Sequence, residues 1–549
     1  MADDFAERYG DLLTGSYDCV DRVVLNAYFS IGHNPGGFRC WWRRLHGGSD
    51  DQLDNTHLMR MAGRFARRVK AWAAANGVPL IFCTAGQRKH LIAEEYLETH
   101  VVTTGVFLIL AAKAPASVQK VHRSARGVIT RLEKKREYVY HYSFHVMDPS
   151  FGHLVIKMSG HPPFGAQVIL NGHEHVAVAA QAEGIGFTKE GNCFTEIADP
   201  QRLARVADAW PQQAAIGRLG QVCDRWIYSA CLCFGLDLAE QEASGFGYAY
   251  SVYQAEYSRN LLFKRGTTLD EVYENLLDRT RRALDVKTLK TIFGRKYRPH
   301  NHTKRGSVCR LEKVIERPAY NLTVFKLHFG KLTLKIYDKG DRVLRVEVVA
   351  HNVKDLRCGA LVEKWPRLLK TMEQYLNNFL NIVQAAHVSF LDQGTFDTLA
   401  APTQRGNRRQ AGVDFNKVRM RRVAAAVVAL APQPIGFTVS DLARKVSAIA
   451  GPELEAYNSR RAAYDLSKVR GKGLVERIGK SRRYRTTSDG VGKLGGYTIL
   501  RDQVIKPLMA GVVRRQGRPP KTIHPVDQHY QNLRVELYKT FETLGLAVA

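Results

Sequence analysis

Short apolar runs alternate with longer amphipathic segments over the first fifth of the chain. The runs at 20–29, 78–83 and 105–112 are rich in Val, Ile, Leu and Phe, and the segment at 56–77 repeats apolar residues at helical spacing. Strands separated by helices of this length are typical of a parallel sheet with helices packed against it. We therefore predict a small α/β domain with a parallel sheet at the N-terminus.

The middle of the chain shows the two-residue alternation of antiparallel strands. Residues 138–158 alternate on both sides of DPSFG, in which Pro149 and Gly152 suit a hairpin turn. Residues 331–349 alternate again, so that Leu332 and Leu334 are predicted to pack inward. The side chains predicted to point outward are Lys331, Lys335, Tyr337, Arg345 and Glu347. This pattern predicts a sheet with one basic, aromatic face that binds RNA or single-stranded DNA. A surface ion pair between Lys335 and Glu347 is the alternative.

The C-terminal part has a helical pattern followed by two short strands. Helices are predicted over 418–432, over 438–450 and from about residue 459, and the strands 474–478 and 483–487 flank the basic turn GKSR. This order resembles a winged helix, a helix-turn-helix variant with a β-hairpin wing. The resemblance implies that the third helix enters the major groove and that the wing meets phosphates. The residues so assigned are Arg460, Arg461, Tyr464 and Lys468 on the helix, and Lys480, Arg482, Arg483 and Arg485 on the wing. Winged helices also bind proteins, which is the alternative.

Length and composition shifts divide the chain into several parts. A chain of 549 residues is too long for one core. The predicted fold class is α/β plus α+β, multidomain, with a parallel-sheet N-terminal domain, an antiparallel-sheet middle region and a C-terminal winged helix. The predicted parts are an α/β domain at 1–115, an α+β region with basic loops at 116–400, a linker at 401–415, and a winged-helix domain with a helical extension at 416–549.

Charge is the strongest signal of a partner. There are 81 Lys and Arg against 52 Asp and Glu, a net charge of +29, so a polyanion is expected. We expect nucleic acid, RNA or DNA, rather than a membrane, because the sequence has no apolar run of spanning length and no signal peptide. The nine cysteines form no zinc or disulfide pattern, which favours a cytoplasmic protein. A basic enzyme with no such partner is the alternative, and the oligomeric state stays open.

Two further stretches combine positive charge with loop-forming residues. GHNPGGFRCWWRRLHGG, at 32–48, offers stacking rings beside cations, although a tryptophan pair in the core explains it equally well. GRKYRPHNHTKRG, at 294–306, is predicted to be a basic loop that folds onto phosphates or an ordinary linker. The candidate contacts are Arg39, Trp41, Trp42, Arg43 and Arg44 in the first stretch, and Arg295, Lys296, Arg298, Lys304 and Arg305 in the second.

A weaker set of residues points to catalysis. Asp18 and Asp21 on the first strand, with Glu94 and Glu95 on a later helix, would hold Mg²⁺ in a nuclease if their carboxylates met at one edge of the sheet. No other cofactor is implied. In a separate part of the chain, His141 and His145 lie four apart, on one face of a predicted strand, and are candidate metal ligands. Capping carboxylates and ordinary buried histidines are the alternatives.

Tyr253 and Tyr257 lie four apart with Glu256 between them. They resemble the tyrosine pair on a helix of rolling-circle replication initiators, and this resemblance implies a tyrosine strand-transferase. The two histidines that flank an apolar residue in that family are absent, because His173 and His175 flank an acid. As part of a strand, the two tyrosines would be packing or stacking residues.

Longer phrases carry two more resemblances. The segments 160–174, 253–260, 334–348 and 459–479 resemble a group of long bacterial proteins with an N-terminal α/β domain and a C-terminal winged helix. Within 334–348, LKIYDKG followed by LRVE is similar to a hairpin of plasmid and phage replication proteins, which suggests a mobile element. A transcriptional regulator is a third hypothesis, although the sequence lacks a P-loop, GxGxxG or nucleophile elbow.

Overall fold

The computed structural model describes most of the chain, in two compact units. The described residues are 9–84, 86–210, 212–270, 272, 310–315, 323–329, 331–339, 342–387, 398–405, 408–451, 457–501, 528–529, 532–533, 535–536 and 539. Those up to residue 378 belong to the first unit and those from residue 379 to the second. Within these residues, no helix has the length and apolar character needed to cross a membrane.

An eleven-stranded sheet forms the centre of the first unit. Its strands are β1 (Leu13–Phe29), β2 (Leu80–Phe82), β3 (Gly105–Arg123), β4 (Ile129–Asp148), β5 (Gly152–Ser159), β6 (Ala166–Asn171), β9 (Tyr248–Phe263), β10 (Arg310–Ile315), β11 (Thr323–Phe329), β12 (Leu332–Lys339) and β13 (Val343–Ala350). Their order is β10-β11-β12-β13-β9-β1-β6-β5-β4-β3-β2. β7 (Phe187–Lys189) and β8 (Phe194–Ile197) form a separate hairpin.

Eight α-helices have both ends within the described residues up to 387, and the last of them continues past residue 378 into the second unit. They are α1 (Pro35–Leu45), α2 (Asn55–Ala75), α3 (Lys89–Thr99), α4 (Gly172–Ala182), α5 (Pro200–Ala207), α6 (Ala214–Ala230), α7 (Leu238–Ser244) and α8 (Trp365–His387). Phe65 of α2 packs on Tyr142 of β4 and on Phe164, so α2 covers one sheet face with aromatic contacts. On the other face, Ala93 of α3 packs with Leu108 and Leu110 of β3.

The mixed α/β character that the sequence predicts is confirmed, but the predicted parallel N-terminal sheet is wrong. Among the strands that the structure describes, only β2 and β3 pair in parallel, at one edge of the sheet. β1 lies between β6 and β9 and is antiparallel to both. The alternation of strands and helices shows roughly where strands lie, although β1 and β3 are longer than the predicted runs, and the direction of a strand depends on partners far along the chain. The boundary predicted at residue 115 falls inside β3.

The predicted hairpins are present, but the basic sheet face is not a solvent-facing surface. Lys335 and Tyr337 both bond the Glu347 carboxylate, at 3.0 Å each, so the expected residues do share a face. However, every residue of β13 is buried, and Arg345 and Glu347 are almost fully enclosed. His173 of α4 and Asn192 of the β7–β8 turn lie over Arg345. Of the five residues predicted to point outward, only Lys331, in the turn before β12, is exposed.

A buried ion cluster joins three central strands and α4 on this face. Nη1 of Arg345 lies 3.5 Å from Oδ2 of Asp21, and Nδ1 of His173 lies 2.8 Å from Oδ1 of the same carboxylate. Arg345 also donates to Oδ1 of Asn260 at 2.7 Å. Burial raises the pKa of Asp21, but Arg345 and His173 outweigh it and hold the pKa below its ordinary value. The cluster therefore fixes β13 against β1 and β9.

Within the second unit, the described residues 411–451 and 457–501 contain three helices, a hairpin and a further helix. They are α9 (Val418–Leu430), α10 (Val439–Ala450), α11 (Ser459–Gly471), the strands β16 (Val475–Arg477) and β17 (Tyr484–Thr486), and α12 (Ser488–Ile499). The strands β14 (Thr403–Arg405) and β15 (Arg408–Gln410) form a short hairpin within the predicted linker. Val427, Leu442, Leu466 and Val491 belong to one apolar core, which holds the helices together.

We expect Arg345→Met to lower the free energy of unfolding of the first unit by about 3–5 kcal/mol, because it leaves the Asp21 carboxylate buried beside no guanidinium. Adding Asp21→Asn in the same chain should restore part of this loss. Urea denaturation followed by circular dichroism measures both effects. Lys331→Met is the matched control, since this lysine is exposed and its loss should change stability by no more than about 0.5 kcal/mol. A single Arg345 variant as stable as the parent protein would contradict the role of the cluster.

Candidate nucleic-acid interface

α11 is a capped amphipathic helix with a polar outer face. Oδ1 of Asn458 accepts a hydrogen bond from the Arg461 backbone amide at 3.1 Å, which caps the N-terminus. Gly473, with φ of +72°, follows the C-terminus, where a left-handed residue is commonly needed. Ala462 and Leu466 pack into the core of the second unit. Helical spacing therefore leaves the opposite side of α11 facing outward.

A buried carboxylate anchors α11 from its inner face. Asp465 is fully buried, and its Oδ2 lies 3.1 Å from Nε of Arg419 on α9. The same oxygen accepts a hydrogen bond from the Tyr457 hydroxyl at 3.1 Å. The Arg419 side chain is 35% exposed, whereas the carboxylate is enclosed, so moving α11 would leave the buried Asp465 charge without its counterion. The outer face of α11 is therefore held in one orientation.

The outer face presents cations and one aromatic ring. Arg460 and Arg461 are exposed, and the Tyr464 ring is 54% exposed. Lys468, which the sequence predicts as a groove contact, is buried, and its Nζ lies 4.6 Å from the centroid of the Tyr464 ring. This cation–π contact holds the ring over the lysine, so Tyr464 rather than Lys468 reaches the surface.

The β16–β17 hairpin carries exposed cations at its turn. Arg477 donates to the carbonyl oxygens of Ser481 at 2.5 Å and Lys480 at 3.1 Å, which folds the turn back on the hairpin. Lys480 and Arg482 are exposed there. Backbone bonds between Phe437 and Tyr484, at 2.9 and 2.8 Å, attach the hairpin to the segment before α10.

Two of the four predicted wing cations have partners within the unit. Arg483 donates to the carbonyl oxygen of Gly436 at 2.8 Å, and Arg485 pairs with Glu476. These contacts leave Lys480 and Arg482 as the cations best placed to meet an external anion.

The positive charge of this surface is not balanced locally. Residues 457–501 contain twelve Lys and Arg and three acids. Each acid already has a basic partner: Asp465 has Arg419, Glu476 has Arg485, and Asp489 has Lys493 at 3.0 Å. The exposed cations of α11 and the hairpin therefore create a net positive field, which attracts a polyanion.

The predicted aromatic loop at 32–48 is largely the helix α1. Trp41 and Trp42 are fully buried, and Trp41 packs against Phe29 and Phe246. Neither ring is therefore placed to stack on a base. The two tryptophans instead form a pair in the core, which is the alternative that the sequence left open. Among the arginines, Arg39 pairs with Asp50, and Nη2 of Arg43 lies 2.9 Å from the same carboxylate.

These arginines line an open cleft of about 320 Å³, to which Arg44 also contributes. The second basic stretch, at 294–306, lies outside the described residues, so Arg295, Lys296, Arg298, Lys304 and Arg305 stay predictions.

The candidate magnesium carboxylates do not meet. Both oxygens of Asp18 accept hydrogen bonds of 2.7 Å from Arg259, whereas Asp21 belongs to the buried cluster. Glu94 is exposed on α3, which packs against β3, four strands away from β1. Among the residues that the structure describes, no group of three His, Cys, Asp or Glu side chains is placed to hold a metal ion.

The tyrosine pair lies on a strand rather than on a helix. Tyr253 is the bulged residue of β9, between the pairs Leu25–Val252 and Val24–Gln254, and it is partly exposed. Tyr257 is buried and donates to Oδ2 of Asp18 at 3.1 Å. Burial and the Asp18 charge raise the pKa of Tyr257, which disfavours the phenolate needed for attack on a phosphodiester.

The two candidate metal ligands on β4 are separate buried histidines. Nδ1 of His145 lies 3.0 Å from Nε2 of His153, and Nδ1 of His141 lies 3.2 Å from the Val139 carbonyl oxygen. Four residues of a strand span about 13 Å, too far for both rings to bind one ion. Burial, and then Lys157, lowers the pKa of His141 to about 4, and burial, and then His153, lowers that of His145 to about 3.

Sequence reasoning missed the inner anchor of α11. Asp465 occupies the same face as Ala462, Leu466 and Val469, which is an unusual position for an acid on an otherwise basic helix. This break in the pattern is the signal that could have identified it, because a buried carboxylate requires a basic partner.

Comparison with known protein families, curated proteins and solved structures found no match. The resemblances to long bacterial proteins and to replication-protein hairpins therefore stay predictions, and the site is interpreted from its own geometry.

We expect acid to destabilise the first unit through His141 and His145. In the unfolded chain these residues bind protons below a pKa of about 6.5, whereas the folded protein keeps them neutral, so stability is lost as pH falls. Each should contribute a loss of about 2 kcal/mol between pH 7 and pH 5. Urea midpoints at the two pH values measure it.

The variant with His141→Gln and His145→Gln should show a correspondingly smaller pH dependence. The exposed His90 provides the matched control, because His90→Gln should leave the pH dependence as it is in the parent protein. If the double variant retains the full loss of stability at pH 5, these histidines are not its source.

Proposed function

We propose that the protein binds nucleic acid and that residues 418–490 form a winged helix that contacts duplex DNA. The observation that carries the proposal is the outer face of α11. It presents Arg460, Arg461 and Tyr464 while the buried Asp465, paired with the partly exposed Arg419, holds the helix in place. Such a ligand is consistent with a cytoplasmic protein.

The dimensions of α11 suit the major groove of B-form DNA. An α-helix with its side chains is about 10–12 Å wide and the groove is about 12 Å wide. Arginine forms paired hydrogen bonds with guanine edges or with phosphates, so Arg460 and Arg461 can serve either role. Duplex RNA is a poorer ligand for this surface, since its major groove is too narrow for side chains to read.

The hairpin supplies a second set of contacts. Lys480 and Arg482 lie at an exposed turn and would meet phosphates beside the groove. A protein partner would be expected to cover apolar surface, whereas the exposed residues of this surface are mostly charged. The charge of the unit therefore favours a polyanion over a protein ligand.

We expect Arg460→Ala to weaken binding of the full-length protein to labelled duplex DNA by roughly 1–3 kcal/mol. The combined change Lys480→Ala and Arg482→Ala should reduce the slope of log affinity against log salt by about two, because two phosphate contacts are lost. Fluorescence anisotropy across a salt series measures both effects. Thermal unfolding of each variant verifies that the fold is intact.

Lys493→Ala is the matched control, because this lysine already pairs with Asp489 on α12. It should leave affinity and salt slope within about twofold of the parent protein. Binding that does not weaken as salt rises, or that is equally strong in all of these variants, would rule out the proposed interface. Tighter binding to an acidic protein than to duplex DNA would favour the alternative, a winged helix that binds a protein.

A further inference from the structure

β3 and β4 extend well beyond the rest of the sheet. They remain paired from Lys113–Tyr140 to Arg123–Ile129, whereas β5 pairs with β4 only from His141 onward and β2 pairs with β3 only as far as Ala111. Residues 112–123 and 129–140 therefore form a two-stranded ribbon. We call this part of the first unit the β3–β4 ribbon.

One face of the ribbon carries a row of cations and exposed rings. Lys134, Arg136, Tyr138 and Tyr140 alternate along β4 and so share a face, with neighbours about 6.6 Å apart. The Tyr138 ring is 73% exposed and the Tyr140 ring 42% exposed. Large aromatic side chains this exposed, side by side on a regular strand, are unusual unless they meet a ligand.

Two residues from neighbouring strands complete an aromatic and cationic patch. The Phe82 ring of β2 is 57% exposed and lies edge-on to Tyr140, with centroids 5.9 Å apart. Nζ of Lys113, directly opposite Tyr140 on β3, lies 5.5 Å from the centroid of the Tyr140 ring. We call Phe82, Lys113, Arg136, Tyr138 and Tyr140 the ribbon patch.

The two faces of the ribbon differ in charge. On the face opposite the patch, Glu133 is within 4 Å of His122, Arg131 and Lys135. The positive charge of that face is therefore partly neutralised. On the patch face, neither Lys113 nor Arg136 has a carboxylate within that distance among the described residues. The patch therefore combines π surface with positive charge that is available to an anion.

A single-stranded nucleic acid has the matching chemistry. Its bases expose their faces for stacking on aromatic rings, and its phosphates pair with nearby cations. In a duplex those base faces are covered by neighbouring bases, so the rings of the patch would have nothing to stack on. A protein strand is a poorer fit, because Pro115 on the edge of β3 lacks an amide donor and lysines line the ribbon.

We propose that the ribbon patch binds single-stranded DNA or RNA, with Tyr138, Tyr140 and Phe82 as the stacking surface and Lys113 and Arg136 as phosphate contacts. The patch lies in the first unit and shares no residue with the C-terminal interface. Either proposal can therefore fail while the other stands.

The test uses the full-length protein and a labelled oligothymidine, in a background where Arg460→Ala, Lys480→Ala and Arg482→Ala remove the C-terminal contacts. Oligothymidine should still bind in that background. Adding Tyr138→Ala and Tyr140→Ala should weaken this binding about tenfold or more, because each stacked base is lost with its ring. Adding Tyr138→Phe and Tyr140→Phe instead should keep affinity within about twofold, since phenylalanine stacks equally well.

Arg131→Ala is the matched control on the opposite face of the ribbon, where the arginine already pairs with Glu133. It should leave oligothymidine binding unchanged, and an unlabelled duplex should compete poorly. Thermal unfolding of the tyrosine-to-alanine pair, placed in the otherwise unchanged chain, should give the same midpoint as the parent protein, which shows that the variant is folded.

Three results would overturn the ribbon patch. The first is that the background variant no longer binds oligothymidine. The second is that the alanine substitutions of Tyr138 and Tyr140 leave its binding unchanged. The third is that the phenylalanine substitutions weaken binding as much as the alanine substitutions do. If replacing Tyr138 and Tyr140 with alanine changes the sedimentation of the protein but not its binding to oligothymidine, the patch is a contact with another protein molecule instead.

Discussion

A buried guanidinium at the centre of the sheet determines how the first unit is assembled. Arg345 reaches Asp21 on β1, Asn260 on β9 and the backbone of Asn192 after β7. Each of these partners comes from a different part of the chain, and a charge this deeply buried is tolerated only when all of them are in place. The cluster therefore couples the positions of three strands and a hairpin.

A second ion pair constrains the same strands from the opposite face. Arg259 precedes Asn260 on β9, so its side chain points away from Arg345, and there it binds Asp18 and Oδ1 of Asn377 on α8. Shifting β9 against β1 by one residue would exchange the two faces and separate both arginines from their carboxylates. The register of the central strands is thus set by ion pairs on both sides, in addition to apolar packing.

The local elements could be predicted from the sequence, whereas their environment could not. Alternation around DPSFG correctly predicted the hairpin of β4 and β5, where Asp148 pairs with Gly152, and helical spacing predicted a helix from Ser459. The same alternation assigned Arg345 and Glu347 to solvent, because a charged residue in a strand normally points outward. Their burial depends on Asp21 and His173, which alternation within one strand cannot reveal.

The same limit applies to the candidate interface. The sequence pattern gave the four cations of the hairpin the same role. In the structure, Arg483 and Arg485 have partners within the unit. Lys480 and Arg482 form no ion pair with a carboxylate among the described residues. Sequence reasoning also passed over Tyr138 and Tyr140, since two tyrosines in an alternating strand resemble ordinary packing residues. The structure shows that β5 ends at Ser159, opposite His141, so β5 does not continue alongside Tyr138 and Tyr140.

The two proposals assign different forms of nucleic acid to the two surfaces. α11 offers two arginines beside a single ring, and its rigid anchoring through Asp465 suits a groove of constant shape. The ribbon patch offers three rings and few donors for base edges, which suits bases that are already unstacked. Because a base cannot stack within a duplex and on Tyr138 at once, the two proposals together predict that the ribbon patch binds only where strands are open and that α11 binds only where they are paired.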